Sequence, residues 1–395
     1  MIDFDDDAYL DDDLREMRDA VAKLCEKFPD PYWQQCDRER AYPEAFADAL
    51  RDGGWLSVLV PEEYGGGGMD IRAAAVILQA INRSGGNATS VHAQMYTMSI
   101  LTRHGDEAMK QRFLPRIAAG ELRMQSMGLT EPEAGSETTK LRTRAERRGD
   151  RYVVNGQKIF ISRFFHTDVL LLLARTTPYD QVKRKTDGIS AFIVEVADLV
   201  GPGKPIEAHP IATMVNHETV QLFLTDLEVP AENLIGEEGM GFRYLMSGLN
   251  AERLIVASEH VGGAFWFLDR ASSYANERVV FDRPIGQNQG VQFPLAEAYM
   301  ETCAASLFRW HGMATYERNG PSAGYEATAA KYLSSMAQWK AANAAMDTFG
   351  GYGMAEEYGI ERRFRESRLA LVAPVNNNIV RSYVATEMLQ LPRSY

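Results

Sequence analysis

Two switches of hydrophobic period divide this chain and exclude most folds. As far as about Gly120, apolar residues step by three and four. Leu14, Met17, Val21, Leu24 and Phe28 share one helical face, with Asp13 the expected N-cap and Pro29 and Pro31 the stop. A second short helix is expected over 42–51, ended by Gly53-Gly54, and others over 71–83, 95–104 and 107–119. The pattern then turns to strands. β-formers at 151–154 and 157–161 flank Asn155-Gly156, which predicts a hairpin turn, because a type I′ turn needs positive φ at both central residues. Residues 168–175 and 189–196 read as buried strands, and Val220, Leu222 and Leu224 alternate. From Gly239 the helical period returns. A long helix should run to about Glu277, a second over 289–317 with a break near Pro294, a third over 325–349 and a fourth over 376–389.

The order is helical, then strands, then helical. There is no βαβ alternation and no GxGxxG after a strand, so a doubly wound dinucleotide fold is not expected. The expected fold is mainly α with a central β-domain, divided at 1–120, 121–236 and 237–395. Gly65 to Gly68 is read as a loop, since it lacks the Gly-Lys-Ser/Thr ending of a phosphate loop.

Charge and cysteine usage narrow the function classes. Lys and Arg number 42 against 54 Asp and Glu, a net −12. A surface that neutralises many phosphates needs the opposite sign, so nucleic acid is not an expected partner. The three cysteines form no CxxC pair, and the seven histidines no HExxH, so neither a disulfide framework nor a metal site is expected. The opening, Met1-Ile2-Asp3-Phe4-Asp5-Asp6-Asp7, is acidic where leader peptides are basic. No apolar run approaches the ~18–20 residues that cross a bilayer. A cytoplasmic protein that does not enter a membrane is expected.

Specific motifs go further. Met127-Gly128-Leu129-Thr130-Glu131-Pro132-Glu133-Ala134-Gly135-Ser136 and Asn155-Gly156-Gln157-Lys158-Ile159-Phe160-Ile161-Ser162 are followed by Arg278-Val279-Val280-Phe281, Pro284-Ile285 and Gln289, then by Phe349-Gly350-Gly351-Tyr352-Gly353 and Glu361-Arg362. In this order and spacing they resemble the acyl-CoA dehydrogenases, from about Gly54 onward. The resemblance implies a helical N-terminal domain, a β-barrel-like middle domain and a C-terminal four-helix bundle. It also implies FAD, a homotetramer, an acyl-CoA substrate oxidised between its α and β carbons, a place in fatty acid metabolism, and an electron-transfer flavoprotein as acceptor.

Residue by residue, the resemblance puts Met127, Leu129 and Thr130 at the flavin pyrimidine, and Phe160 and Ser162 beside the isoalloxazine and its N5. Trp is commoner where Phe160 stands. Arg278, Phe281 and Gln289 would reach the adenine and pyrophosphate of FAD in a neighbouring subunit, where Gly350 and Gly351 permit close backbone approach. Asp347, Asn376 and Asn378 stand at further FAD positions, replacing the usual Gln, Thr and Gln. Ser136 would lie near the CoA moiety. Alone, Phe160 would read as β-core, and Arg278 as a helix C-terminal charge.

The base is where the sequence departs most. Most members place a Glu where this chain has Pro374, and proline takes no proton. A minority, isovaleryl-CoA dehydrogenase among them, place it on the long helix that opens the C-terminal domain, where this chain has Glu252. Glu252 is therefore the expected base, with Asn250 and Arg253 at the substrate on the same turn. Pro374 also lacks the N–H that in the family binds the thioester carbonyl. The usual Thr-Asn-Gly is replaced by Ser162-Arg163-Phe164-Phe165-His166, read either as a changed pocket rim or as an exposed loop. Two other readings stand beside dehydrogenation. One is a flavin oxidase or monooxygenase on the same fold. The other is a non-catalytic relative, including DNA-binding ones, which would need a basic C-terminal extension that this chain lacks.

Overall fold

The protein is described by a computed structural model covering residues 6–393. Positions 1–5, most of the acidic opening, and 394–395 lie outside the described residues. In chain order the helices of the first stretch are α1 (Asp12–Cys25), α2 (Asp30–Glu39), α3 (Glu44–Asp52), α4 (Ile71–Arg83), α5 (His92–His104) and α6 (Glu107–Ala118). The strands follow: β1 (Ser126–Gly128), β2 (Arg144–Arg148), β3 (Arg151–Ile161), β4 (Val169–Arg175), β5 (Ile189–Glu195), β6 (Ile206–Pro210) and β7 (Val220–Pro230). The last stretch holds α7 (Gly241–Glu277), the short pair β8 (Val279–Val280) and β9 (Arg283–Pro284), then α8 (Gln289–Asn319), α9 (Gly324–Phe349), α10 (Ile360–Leu369) and α11 (Asn377–Tyr383). Helices enclose a central sheet domain in sequence, as the periodicity predicts.

Two compact units form. One holds Arg40–Asp70 and Thr89–Leu249; the other holds Met1–Glu39, Ile71–Ala88 and Asn250–Tyr395. In the first, the main sheet runs β1-β4-β2-β3-β7-β6, with β5 also paired to β4. β4 is buried along its whole length. Because strand side chains alternate, Leu170, Leu172 and Ala174 enter one core with Tyr152, Phe192 and Leu222. Val169, Leu171 and Leu173 enter another with Phe113, Leu114 and Ile117 of α6. A strand covered on both faces reads as the continuous apolar run 169–174.

In the second unit, α7, α8, α9 and α10 contribute Phe265, Trp266, Phe267, Ala298, Ala341, Ala345 and Ile360 to one core. The many alanines permit close helix approach. Asp6 is buried there. It accepts from Arg309 Nη2 (2.6 Å), Gln79 Nε2 (2.8 Å), Ser306 Oγ (2.9 Å) and Trp310 Nε1 (3.1 Å), which ties the amino-terminal segment to the bundle.

Several local expectations are corrected. Asn155-Gly156 is not a turn: β3 runs straight through it, and the hairpin closes at Gly149-Asp150, with Arg148 opposite Arg151. Asn155 instead marks a β-bulge against β7, where the register slips between Val154 and Gly156. Its amide exchanges hydrogen bonds with Asp226, Nδ2 to Oδ1 at 3.0 Å and Oδ1 from the Asp226 N–H at 2.9 Å. Gly156 is required because a Cβ there would stand 2.5 Å from Thr143 Oγ1. Pro294 does not break α8. It sits early in the helix, and the carbonyl it leaves unbonded belongs to exposed Gly290. Pro29 and Pro31 precede and open α2 rather than only stopping α1, with Pro31 in the first turn, where its missing N–H costs nothing. The N-cap of α1 is Asp11, not Asp13, accepting from the Leu14 N–H at 3.0 Å. The arginine-rich α10, which gives the core only Ile360 and Phe364, was not expected from the hydrophobic period.

Candidate active site

Two clusters of expected site residues form, one in each unit. The first is built by a second bulge in β3, between Lys158 and Ile161. Phe160 there has φ 58°, which turns its ring outward, 61% exposed, while Lys158 is driven fully inside. The β-core reading of Phe160 is thus overturned. Lys158 Nζ donates to Glu131 Oε1 (2.8 Å) and to the Leu129 carbonyl (3.1 Å). Glu131 also accepts from the backbone N–H groups of Arg142 (2.5 Å) and Thr143 (2.9 Å). Burial pushes Lys158 down to about 8 despite that carboxylate. Burial alone would raise Glu131, but Lys158 and these hydrogen bonds outweigh it and hold the carboxyl below its ordinary value. The pair locks the 129–131 segment beside the bulge, and the Ile159 N–H closes on the Thr130 carbonyl at 2.9 Å.

The exposed ring of Phe160 therefore lies between fixed neighbours. Leu129 and Thr130 are half-buried, and the Thr130 hydroxyl has no hydrogen bond among the described residues. Ser162 is held by Ser126 Oγ donating to its carbonyl at 2.8 Å, with its hydroxyl 3.5 Å from Thr219 Oγ1. Met127, on β1 beside Leu171, is half-buried, and Ser136 is exposed. An exposed aromatic face with hydroxyls on neighbouring segments suits a flat, polar-edged ring such as a flavin.

The segment after Ser162 is not an exposed loop. Arg163 is buried, with φ 60°, and donates to the Asn216 carbonyl at 3.1 Å. Phe164 is buried and only Phe165 turns outward. His166 Nε2 lies 2.8 Å from Glu218 Oε1, and its ring stacks on Tyr42 at 4.3 Å. His217 is buried, with Nε2 2.8 Å from Thr89 Oγ1, and is held well below its ordinary value by burial and by the charges of Arg163 and His92. This buried polar cluster was not foreseen; the basic and aromatic run after Ser162 was its sequence signal.

The second cluster centres on α7. Glu252 is 3% exposed. Its neighbour Arg253 reaches Asn250 Oδ1 (2.8 Å) and Thr328 Oγ1 on α9 (3.2 Å), and Asn250 Nδ2 donates to the Pro321 carbonyl (2.8 Å). Burial lowers Arg253 from its ordinary value, offset in part by the charges of Glu252 and Tyr383. Glu252 is thus a buried carboxyl group beside a half-buried guanidinium on one helical turn. Glu366 on α10, another carboxylate of this unit, is consumed structurally. Arg362 and Arg363 hold its two oxygens at 2.9 and 2.8 Å and keep it ionised against the cost of burial.

Lys331 on α9 was missed. It is fully buried, donating to the Val375 carbonyl (2.7 Å) and Asn377 Oδ1 (2.8 Å). A lysine inside an alanine-rich helix was the available signal. Asn376 caps α11, accepting from the Asn378 N–H at 2.8 Å, and Asn378 Oδ1 takes Arg381 Nη1 at 3.1 Å. Arg278, Phe281, Gln289, Asp347, Gly350 and Gly351 are all exposed, Phe281 at 92%. The Arg278 guanidinium lies 5.6 Å from the Tyr352 ring centroid, which brings it to the Gly350–Met354 turn. At Gly350 and Gly351 no atom of the described residues stands within 4 Å of where a Cβ would be. An uncovered cation, aromatic ring and glycine turn suit a pyrophosphate and its adenine. No group of three or more His, Cys, Asp or Glu able to hold a metal occurs among the described residues. No helix among them is long and apolar enough to cross a membrane.

Comparison with known proteins identifies the chain. Three family segments match in order: the acyl-CoA dehydrogenase N-terminal domain over residues 11–121, the middle domain over 126–227 and the C-terminal domain over 239–389. The chain is 35% identical over 386 residues to cyclohex-1-ene-1-carbonyl-CoA dehydrogenase of Syntrophus aciditrophicus, covering 96% of this chain and 91% of the relative. It is 32% identical over 394 residues to glutaryl-CoA dehydrogenase of Desulfococcus multivorans, covering 97% and 98%. A glutaryl-CoA dehydrogenase solved with glutaryl-CoA superposes with a TM-score of 0.89 at 30% identity, covering 100% of this chain and 98% of that one. With all three of its domains matched in order, the chain belongs to the acyl-CoA dehydrogenase family.

Proposed function

We propose that this protein is an FAD-dependent acyl-CoA dehydrogenase that converts an acyl-CoA to its 2,3-enoyl-CoA, with Glu252 as the base. Bound FAD would supply the acceptor for the β-hydride. The observation that carries the reading is Glu252, a carboxylate buried on α7 with Arg253 beside it, while the commoner base position is Pro374. Removing a weakly acidic α-proton needs a desolvated carboxylate at a fixed place, which a helical turn supplies. Arg253 and Asn250 hold that turn against α9 and the carbonyl of Pro321. On the other unit, Phe160, Ser162, Leu129, Thr130 and Met127 would seat the isoalloxazine, with Lys158 and Glu131 setting the segment they stand on. Arg278, Phe281, Gln289, Asp347, Gly350, Gly351, Asn376 and Asn378 would meet the rest of FAD, and Ser136 the CoA moiety.

The remaining expectations follow from the family. A homotetramer is supported by exposed Phe293, Met300 and Leu307, spaced by seven on α8. Family membership supports an electron-transfer flavoprotein as acceptor, a place in fatty acid metabolism, and a cytoplasmic protein. The division 1–120, 121–236 and 237–395 follows the same grounds.

The test is anaerobic mixing of the FAD-loaded protein with a panel of acyl-CoA thioesters, linear, branched, cyclic and dicarboxylic, while the flavin absorbance is followed. The expected result is bleaching by at least one thioester. In Glu252→Gln the bleaching should be slower by several orders of magnitude, with FAD content and acyl-CoA binding kept, since an amide accepts no proton. A near wild-type rate in Glu252→Gln would overturn the base assignment. No bleaching by any thioester would overturn the dehydrogenase reading. Rapid reoxidation of the bleached flavin by air would move the protein to the oxidases.

A further inference from the structure

The turn between α10 and α11 is held from inside by one amine. Lys331 reaches Val375 O and Asn377 Oδ1, and the Asn377 amide passes the hold on, Nδ2 donating to Ser335 Oγ at 3.0 Å. The Asn377 N–H closes the turn on the Leu371 carbonyl at 3.1 Å. Lys331 is pushed down to about 7 by burial and by the charge of Arg253. A neutral amine keeps two N–H groups, and it has two acceptors, so both forms can hold the turn.

The grip fixes a peptide plane. The Val375–Asn376 bond is trans, so its C=O and N–H point opposite ways. With the carbonyl drawn inward to Lys331, the Asn376 N–H is directed away from the bundle interior. It has no acceptor among the described residues, and Pro374, two residues earlier, has no N–H at all. Lys331 is also a neighbour of the turn that carries Glu252, through Arg253, whose Nη1 bonds Thr328 on the same face of α9.

We infer that Lys331 is a positioning residue that presents the Asn376 N–H as the hydrogen-bond donor to the thioester oxygen. This rests on the reading of Glu252 as base. When an α-proton leaves, negative charge develops on the thioester oxygen, and a fixed backbone donor there lowers the barrier. Val375 also has an N–H without an acceptor among the described residues, but none of them fixes its plane from inside.

The test uses proline against alanine. Asn376 has φ −64°, which a proline ring adopts without strain, so Asn376→Pro removes the N–H. Asn376→Ala loses the same cap to Asn378 and keeps the N–H. Both FAD-loaded variants are titrated calorimetrically with a saturated acyl-CoA and with a 3-oxoacyl-CoA of equal length. The α-proton of the latter is acidic enough to be lost in the site, so it stands for the enolate. Relative to the alanine variant, Asn376→Pro should bind the 3-oxoacyl-CoA about 30-fold or more weaker and the saturated thioester less than about fivefold weaker, and should bleach about 100-fold more slowly. Lys331→Met should shift the two affinities in the same selective way. Equal affinity ratios in the proline and alanine variants overturn the inference. If the proline variant does not fold, an unchanged ratio in Lys331→Met overturns it instead. Wild-type protein that bleaches normally while these ratios stay equal sinks this inference alone, and the reading of Glu252 survives.

Discussion

At the residue scale, burial of cations dominates the chemistry. Lys331 titrates at about 7 and Lys158 at about 8, whereas an unfolded lysine titrates at about 10.4. Between the folded and unfolded values the unfolded chain binds more protons, so stability rises with pH in that window. His217 acts in the same direction but is finished by about pH 7, since its folded value lies far below that of an exposed histidine. Cys25, raised to about 11 by burial, opposes the rise once unfolded thiols ionise near pH 8.5. Urea unfolding of the wild type should therefore show stability increasing between pH 7 and 8.5, by up to about 1 kcal/mol per pH unit from Lys331. In Lys331→Met that slope should shrink while the Lys158 contribution stays. A slope unchanged in Lys331→Met would mean that the amine is not held near neutrality. The sequence offered only the lysine inside an alanine-rich helix, and such a lysine looks the same whether it faces solvent or Asn377. Glu252 stood out in the sequence as a candidate base because the alternative position is visibly a proline, and the structure adds that it is buried.

At the element scale, β3 organises the proposed flavin half of the site through two bulges. The sequence contained the first of them but in disguise. Asn-Gly between β-formers signals a hairpin when the flanking runs pair with each other, and here both pair with β7 instead. Only the long-range partner decides between turn and bulge, and a local pattern does not contain it. The second bulge, which exposes Phe160 and buries Lys158, was invisible for the same reason. By contrast, α4, β4, β5 and α7 were legible, because their burial is continuous or strictly periodic. The bulge at Gly156 makes a sharp prediction. A Cβ would meet Thr143 Oγ1 at 2.5 Å and its Cα at 2.7 Å, and the latter is backbone that cannot swing away. Gly156→Val should cost about 1–3 kcal/mol in urea unfolding. Because β3 continues from there to Phe160, the variant should also lose flavin faster on dilution. Retained wild-type stability would show that β3 can shift past β2 without strain.

At the scale of the whole molecule, the chain leaves apolar and cationic groups uncovered that the proposed homotetramer would cover. Phe293, Met300 and Leu307 recur every seven residues on α8, exposed at 55%, 61% and 44%, and a seven-residue step keeps them on one side of the helix. Arg278 and Phe281, in the adjoining hairpin region, are exposed as well. If copies of this chain assemble through α8 and Arg278 then reaches the pyrophosphate of a neighbour's FAD, assembly and cofactor retention are linked in one direction. Met300→Glu places a charge in the middle of the stripe, beside Glu297 and Glu301, which Lys340 already bridges at 3.0 and 2.5 Å. An unpaired charge buried in an apolar contact costs several kcal/mol, so light scattering should find species smaller than a tetramer, and these should have lost most of their FAD. Arg278→Ala should do the converse. It should remain tetrameric and bind FAD about tenfold or more weaker, the loss of a charge-assisted contact to phosphate. In its residual holoenzyme, flavin bleaching by the best acyl-CoA should stay near the wild-type rate, since the proposal puts Arg278 at the pyrophosphate and away from the reacting carbons. A Met300→Glu protein that stays tetrameric removes α8 from the interface. A dissociated one that keeps its FAD severs the link and places Arg278 within its own subunit's site.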